Sequence, residues 1–239
     1  MMSTSDATAA PARAPAPIAS FRRVARASSW RANVFSVECA VVLMLHLTAL
    51  SHWGGDLPVT QLVLLGSSAT LYMARLNLMA RWILPRELST EELTFVTLVW
   101  IPSILASFTY GAVLSNRKAA LPTVQLVVSA VVYAGGSYLN SVSELQRKWW
   151  KAIPKNKGRC YKSGLFSVSR NINYFGDVML FSGWAAMTGT WWNAWVPLAM
   201  FCGFYFVHIP EKEKYLAKRY AQDWPAYKAS TKTLIPWVL

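Results

Sequence analysis

Asn33 to Ser51 reads NVFSVECAVVLMLHLTALS, nineteen residues in which Glu38 is the one formal charge. About 20 mostly apolar residues in helix match the hydrocarbon thickness of a bilayer. Working outward, three more stretches of this kind follow at roughly 58–80, 93–114 and 121–139, and the region from about 175 to 209 holds two further ones. The break between those two falls at Thr188-Gly189-Thr190, with Trp191, Trp192 and Trp195 beside it. The first of the pair is short for a full span and is expected to be tilted or re-entrant. The expected fold is all-α: a polytopic transmembrane helix bundle of about six membrane segments with a short cytoplasmic C-terminal helix.

Composition agrees. The apolar fraction is 54% and the charged fraction 15%, against about 25% charged residues in an ordinary soluble domain. Twelve tryptophans, ten tyrosines and ten phenylalanines suit a chain that needs aromatic anchors at two interfaces. Cys39, Cys160 and Cys202 are odd in number and lack metal spacing. Cys39 and Cys202 read as membrane-core residues, Cys160 as an ordinary loop thiol, with no disulfide framework and no metal site.

A formal charge of +13 raises the question of a nucleic-acid partner, and its placement answers it. Residues 1–32 carry five arginines and one aspartate, segment 140–177 eight basic residues, and the tail after Pro210 six. Loop 52–57 has Asp56 as its charge, and loop 115–120 has Arg117 and Lys118. The basic segments share one side if both termini and the 140–177 loop are cytoplasmic, as the positive-inside tendency requires. Topology and anionic headgroups thus account for the charge, and no nucleic acid is expected. The chain divides into a basic N-terminal tail (1–32), N-terminal transmembrane helices (33–134) and a C-terminal region (135–239). The tail, rich in Ala, Pro, Ser and Thr, is expected to be disordered. It reads as a solvated tail with a basic stop before the membrane, or as an organellar transit peptide.

Chemistry concentrates at 135–177, GGSYLNSVSELQRKWWKAIPKNKGRCYKSGLFSVSRNINYFGD. A helix beginning near Ser169 would place Arg170, Asn173 and Asp177 on one face. Such a face suits an anionic nucleotide at the membrane surface, since arginine grips phosphate or carboxylate and an amide pairs with a planar carboxamide or a purine edge. A capped, charged helix start at the interface explains the same spacing. Within the spans, Glu38 is the carboxylate placed deepest, with His46 two turns later on the same face. Glu38 is either a proton donor to a substrate oxygen or an interfacial side chain that snorkels. Arg75 and Arg81 read as headgroup-level anchors. The tail EKEKYLAKRYAQDW should form a cytoplasmic helix to about Asp223, since Pro225 disfavours helix at Trp224; its Glu and Lys read as a solvated face.

These residues carry a resemblance. The run from Asn140-Ser-Val-Ser-Glu144-Leu-Gln-Arg147 through Gly164-Leu-Phe-Ser-Val-Ser-Arg170 to Asn173-Tyr174-Phe-Gly-Asp177 resembles the C-terminal domain of the steroid 5-alpha-reductase family. It is most similar to a small uncharacterised branch with a D-L-Q-K turn and an S-R-H-P-N-Y-F-G-E signature. The ending from Tyr227 to Leu-Ile-Pro236 resembles that family's closing Y…LIP. Wider relatives are the sterol C14 and C7 reductases and the isoprenylcysteine carboxyl methyltransferases. The resemblance covers 135–236, and earlier residues add the Arg75-Leu76 dipeptide.

The resemblance implies that Asn140, Glu144, Arg147, Arg170, Asn173, Tyr174, Asp177 and Tyr227 contact a cofactor, NADP(H), at the cytoplasmic end of the bundle. A lipid or sterol substrate would enter from the bilayer, and the endoplasmic reticulum would be the host membrane. The leading expectation is therefore an NADPH-dependent reductase of a carbon–carbon double bond in a sterol or other lipid. Glu38 is the candidate acid on chemistry alone. One alternative is an S-adenosylmethionine-dependent methyltransferase of a lipid or prenylcysteine; the other is a non-enzymatic membrane protein on the same bundle. Two departures stand out: Asn171-Ile172 replaces the family's His-Pro, and Glu211 and Glu213 are split by Lys212 where the methyltransferases carry adjacent glutamates.

Overall fold

Apolar runs broken by Pro, Gly and short polar loops fold into helices that turn back on one another. The computed structural model describes residues 30–84, 88–116 and 120–239. Most of the basic N-terminal tail and the Arg117-Lys118 loop lie outside the described residues. The chain forms α1 (Trp30–Trp53) and α2 (Val59–Leu78), the latter extended by a π-helical turn, Met79–Ile83. Helix α3 runs through three contiguous pieces, Thr90–Thr94, Phe95–Trp100 and Ile101–Asn116. Then come α4 (Thr123–Ala152) and α5 (Ile172–Met187). Helix α6 again has three contiguous pieces, Trp195–Cys202, Gly203–His208 and Ile209–Arg219, and α7 (Trp224–Ser230) closes the chain. No strand occurs among the described residues. Four helical stretches are long and apolar enough to cross a membrane: Trp30–Trp53, Val59–Ile83, Phe95–Ser115 and Thr123–Ala152. The chain is an integral membrane helix bundle, and α5 and α6 pack against these four.

Local chemistry sets the boundaries. Pro58 and Pro122 precede α2 and α4, where a residue without an N–H leaves no donor unpaired. Gly189, at φ +74°, reverses the chain after α5 in the left-handed region that a Cβ disfavours. Between α4 and α5 the backbones touch. A Cβ on Gly176 would lie 2.6 Å from the backbone N of Asn140, and Gly136 and Gly183 face backbone atoms of the opposite helix in the same way. In lipid, where apolar burial between helices gains little, close approach through small residues is a main source of helix association. Trp184 fills the centre, with the rings of Tyr72, Phe108 and Tyr133 edge-on at 5.7, 5.2 and 5.8 Å.

The basic segments gather at one end of this bundle. Arg31 of α1 donates to the carbonyl of Leu88 at 3.1 Å, Arg81 to Ser36 Oγ at 2.9 Å, and Lys148 of α4 to the carbonyl of Trp82. The opposite end is tied by Gln61 to the carbonyl of Met187 at 2.9 Å and by Ser115 to that of Gly189 at 3.0 Å.

Three expectations are corrected. The fourth span does not stop near 139: α4 continues to Ala152, so much of the anticipated loop is helix. The tail does not form one separate helix to Asp223. Residues 209–219 prolong the last apolar helix, the chain turns at Tyr220–Asp223, and α7 then begins at Trp224 with Pro225 in its first turn. Proline is tolerated there because first-turn N–H groups have no intrahelical acceptor. Cys160 lies in a loop as expected but is no ordinary loop thiol, being buried with Tyr220, Trp224 and Tyr227 of the tail.

Candidate functional site

Because α4 is thirty residues long, its last turns project past the apolar layer. They carry Asn140, Glu144 and Arg147 at i, i+4 and i+7, one face of the helix. The glycine contact holds α5 against that face. Asn140 Nδ2 donates to Asp177 Oδ2 at 2.8 Å and to the carbonyl of Asn173 at 3.0 Å. From α2, Arg75 Nη2 reaches Asp177 Oδ1 at 2.9 Å. Three segments far apart in sequence thus converge on one carboxylate.

This cluster is incompletely paired. Asn140 Oδ1, Asn173 Oδ1, and Arg75 Nε and Nη1 are buried and meet no hydrogen-bond partner among the described residues. Buried polar atoms are nearly always paired, so a group of orphans side by side marks a place for water or ligand. The orphans offer both acceptors and donors.

One turn before Asp177, Tyr174 stacks on Phe204 with ring centroids 4.3 Å apart, and the Lys212 ammonium sits 4.5 Å from the Tyr174 centroid. Glu144 is buried and paired with Arg147. Lys212 Nζ is buried without a hydrogen-bond partner, so Lys212 is not the solvated-face residue expected from its Glu/Lys-rich helix. Burial pushes its ammonium down to about 7, helped by the Arg147 guanidinium. A cavity of about 40 Å³ lies here, walled by Arg147, Lys151, Arg170, Lys212, Tyr161 and Tyr227 among others.

Two of the expected cofactor contacts, Arg170 and Tyr227, line that cavity and also bind the tail. Arg170 precedes α5 instead of lying on it, because the helix begins at Ile172 with Asn171 as its cap. It therefore does not share a face with Asn173 and Asp177 and turns to the tail. Its Nε and Nη2 donate to Glu213 Oε1 at 3.0 and 2.7 Å, Nη2 also to Thr233 Oγ1 at 2.9 Å, and Nη1 to the carbonyls of Lys228 and Thr231. Every N–H donor of the guanidinium has a protein acceptor. Tyr227 donates its hydroxyl to the carbonyl of Phe166 at 2.6 Å, and burial raises the pKa of that hydroxyl. Asn140, Glu144, Arg147, Asn173, Tyr174 and Asp177 are brought together; Arg170 and Tyr227 wall the small cavity beside Arg147 and hold the tail.

Glu38 is half-buried on α1 and accepts a 2.7 Å bond from Thr97 Oγ1, outside the hydrogen-bond network of Asp177. His46, on the same helix, bonds Thr109 at 3.2 Å and borders a larger apolar cavity of about 660 Å³ between α1 and α3. That cavity extends to Trp53 and Leu114, toward the end of the bundle remote from Asp177.

Residues 68–231 match the model of the family described as "Protein of unknown function (DUF1295)". The chain belongs to the DUF1295 family. That family is part of the steroid 5-alpha-reductase/methyltransferase-like membrane superfamily, so the resemblance drawn from residues 135–236 holds at that level. Over 116 residues the chain is also 32% identical to "Probable O-methyltransferase ustE" of Ustilaginoidea virens. The match covers 48% of this chain and 40% of that relative, well under two thirds of the relative's length.

The DUF1295 match takes in every member of the buried cluster, from Arg75 on α2 to Lys212 on α6. Glu38 and His46 fall before it. Arg75 was expected at headgroup level; instead it is buried beside Asp177. The signal for Arg75 was the dipeptide Arg75-Leu76, which the family resemblance had already marked. Lys212 had none, since Glu/Lys alternation looks the same whether a helix faces water or a cavity.

Proposed function

We propose that this DUF1295 protein is a membrane-embedded S-adenosylmethionine-dependent methyltransferase acting on an oxygen of an amphiphilic substrate. The observation that carries the reading is the 32% identity to a probable O-methyltransferase across 116 residues. The polar groups of the cluster support the reading. Asn140 Oδ1 and Asn173 Oδ1 are buried acceptors awaiting donors, as the amino groups of the cofactor's adenine and methionine parts are. Phe204 and Tyr174 supply an aromatic wall. When bound, S-adenosylmethionine supplies an electrophilic methyl group on a sulfonium.

The protein's part is to hold, orient and exclude water. Both carboxylates of the cluster already grip guanidinium groups, Asp177 with Arg75 and Glu144 with Arg147. Neither is assigned the deprotonation of an alcohol. An acceptor that arrives ionised, an apolar carboxylic acid, needs no base. Such a substrate reaches the site from the bilayer. The proposal keeps the basic end of the bundle cytoplasmic and takes the endoplasmic reticulum as the membrane.

An NADPH-dependent reductase is the second reading, favoured by the meeting of Asn140 with Asp177 and Asn173, the residues that resemble the reductase signature. Three phosphates want several uncommitted cations. Here Arg170 is fully engaged and Arg147 is paired, leaving Lys212 as the cation without a hydrogen-bond partner among the described residues, enough for one anionic group, which weighs toward the smaller charge of S-adenosylmethionine. The test is incubation of the purified protein with methyl-tritiated S-adenosylmethionine and a panel of amphiphilic carboxylic acids. Label entering the organic phase, and lost in Asp177→Asn, supports methyl transfer. Absence of label together with substrate-dependent NADPH oxidation would replace it with the reductase.

A further inference from the structure

Between the ends of α4 and α6, Arg147, Arg170 and Lys151 each have a polar partner, and Lys212 has none among the described residues. Glu144 is held by Arg147. Glu213 gives Oε1 to Arg170 at 2.7 Å and Oε2 to Lys228 at 3.3 Å. Lys151 reaches the hydroxyl of Tyr220 at 3.3 Å. Lys212 sits among these groups with its Nζ buried, no hydrogen-bond partner among the described residues, and the face of Tyr174 as its near neighbour; Glu144 and Glu213 act on it only through space. An ammonium carries three N–H donors, and leaving them unpaired out of water is costly. A tyrosine face recovers part of that cost, but it accepts no strong hydrogen bond. The adjoining cavity is small and its charged wall is cationic: Arg147, Lys151, Arg170 and Lys212, with no carboxylate lining it.

We propose that Lys212 is the anchor of an anion subsite, where its ammonium takes an oxygen of a carboxylate or phosphate carried by the bound ligand. The subsite deepens the methyltransferase reading and rests on it for the identity of the ligand: in S-adenosylmethionine the group would be the carboxylate of the methionine part. The subsite itself rests on the unpaired ammonium and the cationic wall. A free phosphate, a cofactor carboxylate and a lipid headgroup offer the same chemistry. Burial holds the empty-site ammonium down to about 7, so anion capture is coupled to proton uptake and strengthens as pH falls from 8.5 to 6.5.

The test uses the full chain in neutral detergent, with wild type, Lys212→Met and Lys212→Arg compared. Melting is followed with inorganic phosphate, with S-adenosylmethionine, and with methylthioadenosine, which lacks the amino-acid carboxylate. Chloride holds ionic strength constant. Lys212→Met is expected to melt higher than wild type at pH 6 without ligand, because a buried ammonium whose N–H groups are unpaired is gone. It should also lose the phosphate-dependent shift and bind S-adenosylmethionine about tenfold or more weaker, the usual loss of a charged hydrogen bond. Its affinity for methylthioadenosine should be unchanged, and Lys212→Arg should retain part of the phosphate shift. A wild-type phosphate shift that needs Lys212, without any response to S-adenosylmethionine, supports the subsite and removes the methyltransferase reading. Nanodiscs containing phosphatidylglycerol in place of phosphatidylcholine then show whether a headgroup supplies the anion, by a stabilisation that Lys212→Met abolishes. Equal binding of phosphate and S-adenosylmethionine by wild type and Lys212→Met, or a melting point lowered by that substitution, overturns the proposal.

Discussion

Arg75 and Asp177 lie 102 residues apart in sequence and meet at 2.9 Å inside the bundle. Asn140 takes the second oxygen of the same carboxylate at 2.8 Å, so α2, α4 and α5 are joined through one acid. A buried pair of this kind gains little against a well-packed apolar replacement, yet breaking it by removing one partner is costly. Arg75→Met and Asp177→Leu should each destabilise the protein by about 3–5 kcal/mol. The double variant should be less damaged than the two losses added together. Unfolding in detergent and denaturant measures both, and strict additivity would show that the pair does not act as a unit.

Gly176→Ala puts a methyl group 2.6 Å from the backbone N of Asn140. The helices must separate, and Asn140 should then lose Asp177. The expected result is a lower melting point together with weakened ligand binding, while Gly203→Ala, whose Cβ meets nothing within 4 Å, should leave binding unchanged. Equal behaviour of the two variants would contradict the close contact between α4 and α5.

The spans were legible because a bilayer demands apolar runs of nearly fixed length, and the four clearest runs are four long helices. The site was legible in part. Asn140, Glu144, Asn173 and Asp177 lie in one continuous motif, and helical spacing brings them to facing surfaces. Arg170 misled because its spacing fits a helix that begins three residues later than expected. Arg75 and Lys212 were misplaced for one reason. Whether a cation near a helix end meets water, headgroups or the protein interior depends on which helix packs beside it, and that is a tertiary fact.

Arg170 ties the start of α5 to the tail through Glu213, Thr231 and Thr233. Lysine has the charge without the planar fork and cannot serve these acceptors together. Arg170→Lys should therefore loosen residues 210–239, seen as faster amide exchange and proteolysis there, with the helices from α1 to α4 unaffected. Exchange rates equal to wild type would show that the tail is held by its apolar contacts alone.

Glu38 bonds Thr97 and stands outside the Asp177 network. Glu38→Gln should keep cofactor affinity within about twofold, since sites that share no partners couple by less than about 0.5 kcal/mol. Calorimetric titration measures it. Turnover reduced at unchanged affinity would make Glu38 the substrate-side acid, whereas unchanged turnover removes it from the mechanism.

The depressed Lys212 ammonium has a consequence for stability without ligand. Its pKa falls from the ordinary 10.5 to about 7 on folding. Between those values the unfolded chain binds more protons than the folded one, so stability should rise as pH climbs from about 7 toward 10.5. At and below pH 7 the penalty of burying the charged form is fully present. Melting followed from pH 6.5 to 9.5 should show this rise in wild type and a flatter curve in Lys212→Met. Parallel curves would assign the dependence to other groups.

Ligand-dependent melting of the purified protein with S-adenosylmethionine, NADPH and NADH decides whether the Asn140–Asn173–Asp177 cluster holds S-adenosylmethionine. A ligand that binds the folded state raises the apparent melting temperature by mass action. A rise with S-adenosylmethionine is expected, and Asn173→Ala should remove it while the variant still expresses and folds. A rise with NADPH alone, or an Asn173→Ala protein that binds S-adenosylmethionine as well as wild type does, would contradict that assignment.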